Sequence, residues 1–228
     1  IGLPLESGGD FNSIVNYARR AEEHGFDSVA MADHVFLENE VLTTFAAVAM
    51  KTRKLRMATF VLDGNRRNPA MLAHVTATLD RLSGGRLILG IGKGVWNEAY
   101  YGMEVHEPVR RMEKTIELLK LFWSGKEVTD SSRFFKFEKA STLKAKPFQT
   151  PHPPIWVAAF GERMLRIALR LGDGFITQNM PPQLFKATLE QIRRTAERMG
   201  LDLSRFEAVC GCMPVAVSKD RDEARRLI

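Results

Sequence analysis

The chain has 228 residues, 45% hydrophobic and 26% charged, with a net charge of +6. That balance is an ordinary globular one, long enough for one large core or two small ones. Two cysteines exclude a disulfide scaffold, and no apolar run reaches the about 18 residues of a membrane span.

Short apolar runs alternate with longer amphipathic ones along the whole chain. Residues 1–5 read as a strand, opening without a leader peptide. Phe11, Ile14, Val15, Ala18 and Ala21 follow helical spacing up to Gly25. Residues 27–32 are a second strand, 42–52 a helix and 55–62 a third strand. Asn68-Pro69 starts a helix to about Leu82, with the proline where its missing N–H is harmless. Residues 86–91 are too apolar for a half-exposed strand and suit a parallel strand covered on both faces. Val109, Met112, Ile116, Leu119 and Trp123 stripe the next helix, which Gly125 ends. Residues 126–154 break the rhythm; the alternation at 133–137 predicts a small hairpin in an excursion. Strands at 155–159, 174–177 and 207–217 then alternate with helices at 162–171 and 182–199, and a last helix begins at Asp220. Repeated strand–helix units imply parallel strands with right-handed crossovers. About seven units fit either an open doubly wound sheet or a barrel lacking one strand.

The positive charge is scattered among acids, with no basic stripe interleaved with aromatics, so nucleic acid is not an expected partner; a pocket for phosphates accounts for the excess equally well. His24, His74, His106 and His152 are dispersed without ligand spacing, so no metal is expected. Cys210 and Cys212 share a strand face, read as small buried hydrophobes, and fit a reducing, cytoplasmic setting. Gly90, Gly92 and Gly94 form GIGKG after a buried strand but fit neither the dinucleotide fingerprint nor the Walker motif. Glycines there either let backbone approach an anionic ligand or merely make a turn. Asp33-His34 follows the second strand, where catalytic groups of such folds gather. Arg66-Arg67 could approach a polyanion or form a solvated loop face. Ala159, Phe160 and Gly161 open a helix whose N–H groups suit a phosphate, though Glu162 in its first turn opposes one. No hydrolase arrangement of Ser, His, Cys or paired carboxylates is visible.

Four segments together resemble the luciferase-like flavin/deazaflavin oxidoreductase superfamily: 21–28 running into Ala32-Asp33-His34, Arg66 to Ala70, 77–86 running into Gly90-Ile91-Gly92, and 154–159 through to Gly172-Asp173-Gly174-Phe175. Arg67-Asn68-Pro69-Ala70, Ile155-Trp156-Val157-Ala158-Ala159 and 163–166 look closest to the branch that uses the deazaflavin coenzyme F-420, near the methylenetetrahydromethanopterin reductases and phthiodiolone ketoreductases. The resemblance implies an α/β fold, a (β/α)8 TIM barrel spanning 1–228 as a single domain. It also implies an insertion at about 126–154 and a C-terminal strand missing from this sequence. It further implies a cis peptide at Phe60–Val61 that backs the coenzyme ring.

Residue by residue, the resemblance makes Asp33 and His34 the catalytic pair. Thr59, Phe60, Val61, Lys93, Gly94, Asn97, Ala159, Phe160, Gly161 and Gln178 become coenzyme contacts. Sugar-phosphate and alcohol dehydrogenases of the branch carry Glu directly after the glycine matching Gly94; Val95 stands here, and Glu98 is the nearest substitute acid. The implied function is hydride transfer between F-420 and a small organic substrate of ketone, alcohol or methylene-pterin type, by a cytoplasmic homodimer that binds neither nucleic acid nor membrane. The alternatives are an FMN-dependent two-component monooxygenase and a non-catalytic flavin-binding protein.

Overall fold

A computed structural model of the chain describes residues 2–4, 10–36, 39–94, 101–211 and 218–226. In chain order they form β1 (Gly2–Pro4), α1 (Phe11–Glu23), β2 (Ser28–Met31), α2 (Val41–Lys51), β3 (Arg56–Thr59), β4 (Leu62–Asp63), α3 (Pro69–Ser83), β5 (Leu87–Gly92) and α4 (Pro108–Ser124). There follow β6 (Val128–Asp130), β7 (Phe137–Ser141), β8 (Ile155–Ala158), α5 (Glu162–Leu171), β9 (Gly174–Gln178), α6 (Pro182–Met199), β10 (Glu207–Gly211) and α7 (Arg221–Arg226).

The main sheet runs β1-β2-β3-β5-β8-β9-β10, parallel throughout, with β4 also paired to β5. β1 and β10 are the two edges of that path. Side chains alternate between its faces. Val29, Met57, Leu87, Leu89, Val157 and Phe175 point outward into the large core shared with the helices. Ala58, Ile88, Trp156 and Ile176 point inward and form a second cluster with Ala30, Phe60, Val61, Ala158 and Val209. Inner residues from so many strands touch one another only when the sheet curls round them, as in a (β/α)8 barrel. Every residue of β5 is buried, as its apolar sequence predicts.

Local chemistry places the elements on the site side. Asn68 caps α3, its Oδ1 accepting from the Ala70 and Met71 amides at 2.9 and 3.4 Å, while Gly84 ends the helix at φ 68°. Trp123 ties α4 to α3, its Nε1 donating to the Ala73 carbonyl at 3.1 Å.

One expectation changes. The run 55–62 is not one strand. Met57 pairs with Leu87 but Leu62 pairs with Ile91, so the β3–β4 side holds one residue more than β5 between those pairs. The surplus is taken up as a bulge at Phe60–Val61, whose peptide bond is cis, as the resemblance implies. The hairpin expected in the excursion is present as β6 with β7, antiparallel, with 133–136 between its strands. Arg133 and Phe134 lie in the bend between the strands and stack on each other at 5.0 Å. Residues 212–217 of the strand expected at 207–217 lie outside the described residues.

Candidate active site

Parallel pairing puts the carboxyl ends of the strands at one pole, so His34, Thr59 to Val61, Lys93-Gly94, Ala159 to Gly161 and Gln178 all emerge there. Asn97 and Glu98, like Val95, fall outside the described residues.

On the inner wall of that pole β5, β8 and β10 carry only small residues near their ends, Gly90, Gly92, Ala158 and Gly211. Each of these glycines makes room for the bulge. A Cβ on Gly90 would lie 1.9 Å from the Thr59 carbonyl oxygen, one on Gly92 3.0 Å from Val61 Cγ2, and one on Gly211 2.3 Å from the tip of the Phe60 ring. The Thr59 hydroxyl donates to the Gly90 carbonyl at 2.7 Å and locks the same contact. Two glycines of GIGKG therefore admit the chain's own Phe60–Val61 segment. The third, Gly94, has φ 72° and would put a Cβ 2.1 Å from Asp63 Oδ2.

A buried ionic network lies under the rim. The side chain of Asp33 is only 4% exposed. It accepts two bonds from Arg67, at 2.6 and 3.0 Å, and one from Arg66 Nη2 at 2.8 Å, besides the Asp63 amide at 3.2 Å. Arg66 is 7% exposed, and its Nε stands 3.2 Å from Asp63 Oδ2. Arg67 also reaches Glu40, which caps α2 by accepting from the Thr43 amide. Burial opposes the charge on Arg67, yet its bonds to Asp33 hold its pKa above the usual arginine value. Asp63 is pushed up by burial, which outweighs its bond from the Asn65 amide and the nearby Arg66 charge. Asn65 completes the frame: its Nδ2 donates to the carbonyls of Lys93 at 2.6 Å and Pro108 at 3.0 Å, joining the β5 exit to the start of α4.

The arginine pair thus faces inward, against both sequence-based readings of it, and the Asp33 carboxylate is enclosed by cations. His34 stands otherwise. Its Nδ1 is buried without a hydrogen-bond partner among the described residues, and its ring meets Tyr101 edge-on at 6.4 Å. Tyr101 stacks on Phe36 at 5.5 Å, with the Arg66 guanidinium 4.5 Å from its ring centre. Lys93 is exposed. Across the pole, Ala159 is buried, Phe160 is 68% exposed, and Gly161 starts α5 at a point where an added Cβ would meet no atom within 4 Å. Gln178 is exposed beside Gly211. Cys210 is half-exposed, not buried as expected. A cleft of about 650 Å³ lies at the opposite pole, lined by Arg56, Phe148, His152, Asp173, Arg205 and Glu207, away from all of these groups.

Sequence reasoning missed Asp63, Asn65 and the inward course of both arginines. The signal for them was the recurrence of acids and arginines at strand ends, Asp33, Asp63, Arg66 and Arg67, since charges buried at such a rim have to pair.

The chain matches the luciferase-like monooxygenase family over residues 2–228. It belongs to that family. This luciferase-like chain is 33% identical over 211 residues to a 5,10-methylenetetrahydromethanopterin reductase of Archaeoglobus fulgidus, covering 92% of the chain and 61% of that protein. It is 35% identical over 185 residues to a phthiodiolone/phenolphthiodiolone dimycocerosates ketoreductase of Mycobacterium kansasii, covering 78% of the chain and 49% of that protein. Among solved structures it resembles an F420-dependent secondary alcohol dehydrogenase in complex with an F420-acetone adduct. The TM-score is 0.87 at 25% identity, over 99% of this chain and 72% of that one. The chain thus spans about half to three fifths of the length of these two curated relatives.

Proposed function

We propose that the protein is an oxidoreductase that moves hydride between coenzyme F-420 and a small organic acceptor of ketone, alcohol or methylene-pterin type. One observation carries the reading: His34, whose ring nitrogen is buried without a partner among the described residues, stands at the same pole as the apolar Phe60–Val61 bulge and an open helix start. The likeness to an F420-dependent dehydrogenase supports it.

The described residues fit such a group. The Phe60–Val61 bulge offers an apolar floor for a flat ring, and the free amides at the start of α5, with exposed Lys93, suit an anionic arm. When bound, the coenzyme supplies a ring carbon that gives or accepts hydride. The chain's own work is positional and protic. Phe60 and Val61 would set the depth of the ring, and the α5 amides and Lys93 would hold its arm, which favours alignment of the reacting carbons. His34 donates to the substrate heteroatom as charge develops there. Asp33, enclosed by Arg66 and Arg67, supports the loop.

Titrating the full-length protein with reduced F-420 and with reduced FMN tests this reading. Tight binding of F-420, with its oxidation by acetone, cyclohexanone or methylenetetrahydromethanopterin, is expected. Binding of neither removes the oxidoreductase reading, and oxygen uptake with reduced FMN favours the monooxygenase. His34→Ala should lower turnover about 100-fold and leave coenzyme affinity within about threefold.

A further inference from the structure

We infer that Arg66 is a positioning residue for His34, acting on both the main chain and the ring wall beside it. The inference rests on the reading that His34 meets the substrate heteroatom.

Arg67 already satisfies the Asp33 carboxylate with two bonds, so Arg66 is not needed to neutralise that charge. What Arg66 alone adds is a bond from Nη2 to the Asp33 main-chain carbonyl. That carbonyl belongs to the planar peptide joining Asp33 to His34, so fixing it fixes the direction in which His34 leaves β2. The same Nη2 also bonds Asp33 Oδ2 at 2.8 Å, and Nε lies 3.2 Å from Asp63 Oδ2 as a charge contact without a hydrogen bond, so the guanidinium plane is bonded on the Asp33 side and drawn by charge toward Asp63. Tyr101 lies against that plane at 4.5 Å and presents its ring to His34 at 6.4 Å. Arg66 thus reaches His34 by two routes, backbone and aromatic wall. A buried ionic cluster of this kind is weak evidence for stability, since well-packed apolar groups often serve as well, whereas fixing geometry gives it a use. Lysine would keep the charge but is a point donor. Its one nitrogen could serve the Asp33 carbonyl and carboxylate as Nη2 does, but it has no plane to set against the Tyr101 ring and no second nitrogen to face Asp63 at the same time.

The test is a double-mutant cycle in the full-length protein loaded with reduced F-420, using whichever of acetone, cyclohexanone or methylenetetrahydromethanopterin it reduces fastest. Arg66→Lys should lower kcat about tenfold, with substrate KM and coenzyme Kd within about twofold. In the His34→Ala background the same substitution should change kcat by less than about twofold, because the group it positions is gone. A second measurement needs neither coenzyme nor substrate. The His34 Cε1–H signal in proton NMR, assigned by its loss in His34→Ala, should be one sharp line in the parent and broadened or split in Arg66→Lys. Should Arg66→Lys not fold, Tyr101→Leu removes the ring wall and leaves the charges in place; it should broaden the same line. An unchanged His34 signal in the folded variant overturns the proposal, as does an equal fall in kcat with and without His34. A collapse of turnover in His34→Ala beside an unaltered Arg66→Lys overturns the positioning role and leaves the His34 reading standing. Full turnover in His34→Ala overturns that reading and the positioning role with it.

Discussion

At the scale of single residues, the pole is shaped by what is missing. Gly90, Gly92 and Gly211 leave the space that the Phe60–Val61 bulge enters, and only the first faces unyielding backbone. Gly90→Ala, with its Cβ 1.9 Å from the Thr59 carbonyl oxygen, should lower stability by about 3 kcal/mol or more, read as a shift in the denaturant midpoint. Gly161→Ala should behave differently. It meets open space, so its cost is the backbone strain of φ 82°, about 2 kcal/mol, with weakened F-420 binding as the larger effect. Equal stability losses at the two positions would refute this account. The motif GIGKG was legible as glycines after a strand; that two of them face the chain's own bulge depends on the β3–β5 register, which no local pattern carries.

At the scale of elements, the loops are tied by single side chains. Glu22, near the end of α1, accepts from the amides of Arg53, Lys54 and Leu55 at 2.6–3.2 Å and so fixes the α2–β3 turn. Burial opposes its charge, but those bonds and the nearby Arg86 hold its pKa below the usual 4.5. A carboxylate with a lowered folded pKa stabilises above its ordinary value and loses that contribution as pH falls through the lowered one. Glu22→Gln should therefore cost about 1 kcal/mol near neutral pH, a modest figure because the site is largely exposed, and the difference from the parent should vanish in acid. Thermal midpoints from pH 7 to pH 3 check it; a pH-independent gap would contradict it. Arg67 plays the corresponding part in the β2–α2 loop, bonded to Asp33 at one end and Glu40 at the other. Most helix limits were legible from caps and glycines, Asn68 and Gly84 above all. The hairpin expected in the excursion was legible as an element, β6 with β7, though not its strand limits, because Arg133 and Phe134 pack on each other in the bend that joins the strands.

At the scale of the molecule, the two poles of the curled sheet do different work. Glu207 at the opposite pole accepts from Trp156 Nε1 at 2.8 Å and faces Arg56 at 3.4 Å. Glu207→Gln should lower the thermal midpoint by a few degrees and leave turnover within about twofold. A large loss of turnover at unchanged stability would show that the poles are coupled. The alternation of strands and helices made the architecture readable, and the order of segments made the family readable. The ionic frame beneath the rim was not readable, because pairing between residues 33, 40, 63, 66 and 67 exists only once the β2–α2 loop meets the end of β4 and the loop after it. That frame has a practical consequence for engineering. With one guanidinium gripping residues 33 and 40, the sequence after His34 and before Glu40 can be varied while its anchors stay put, so libraries aimed at new acceptors are best written there.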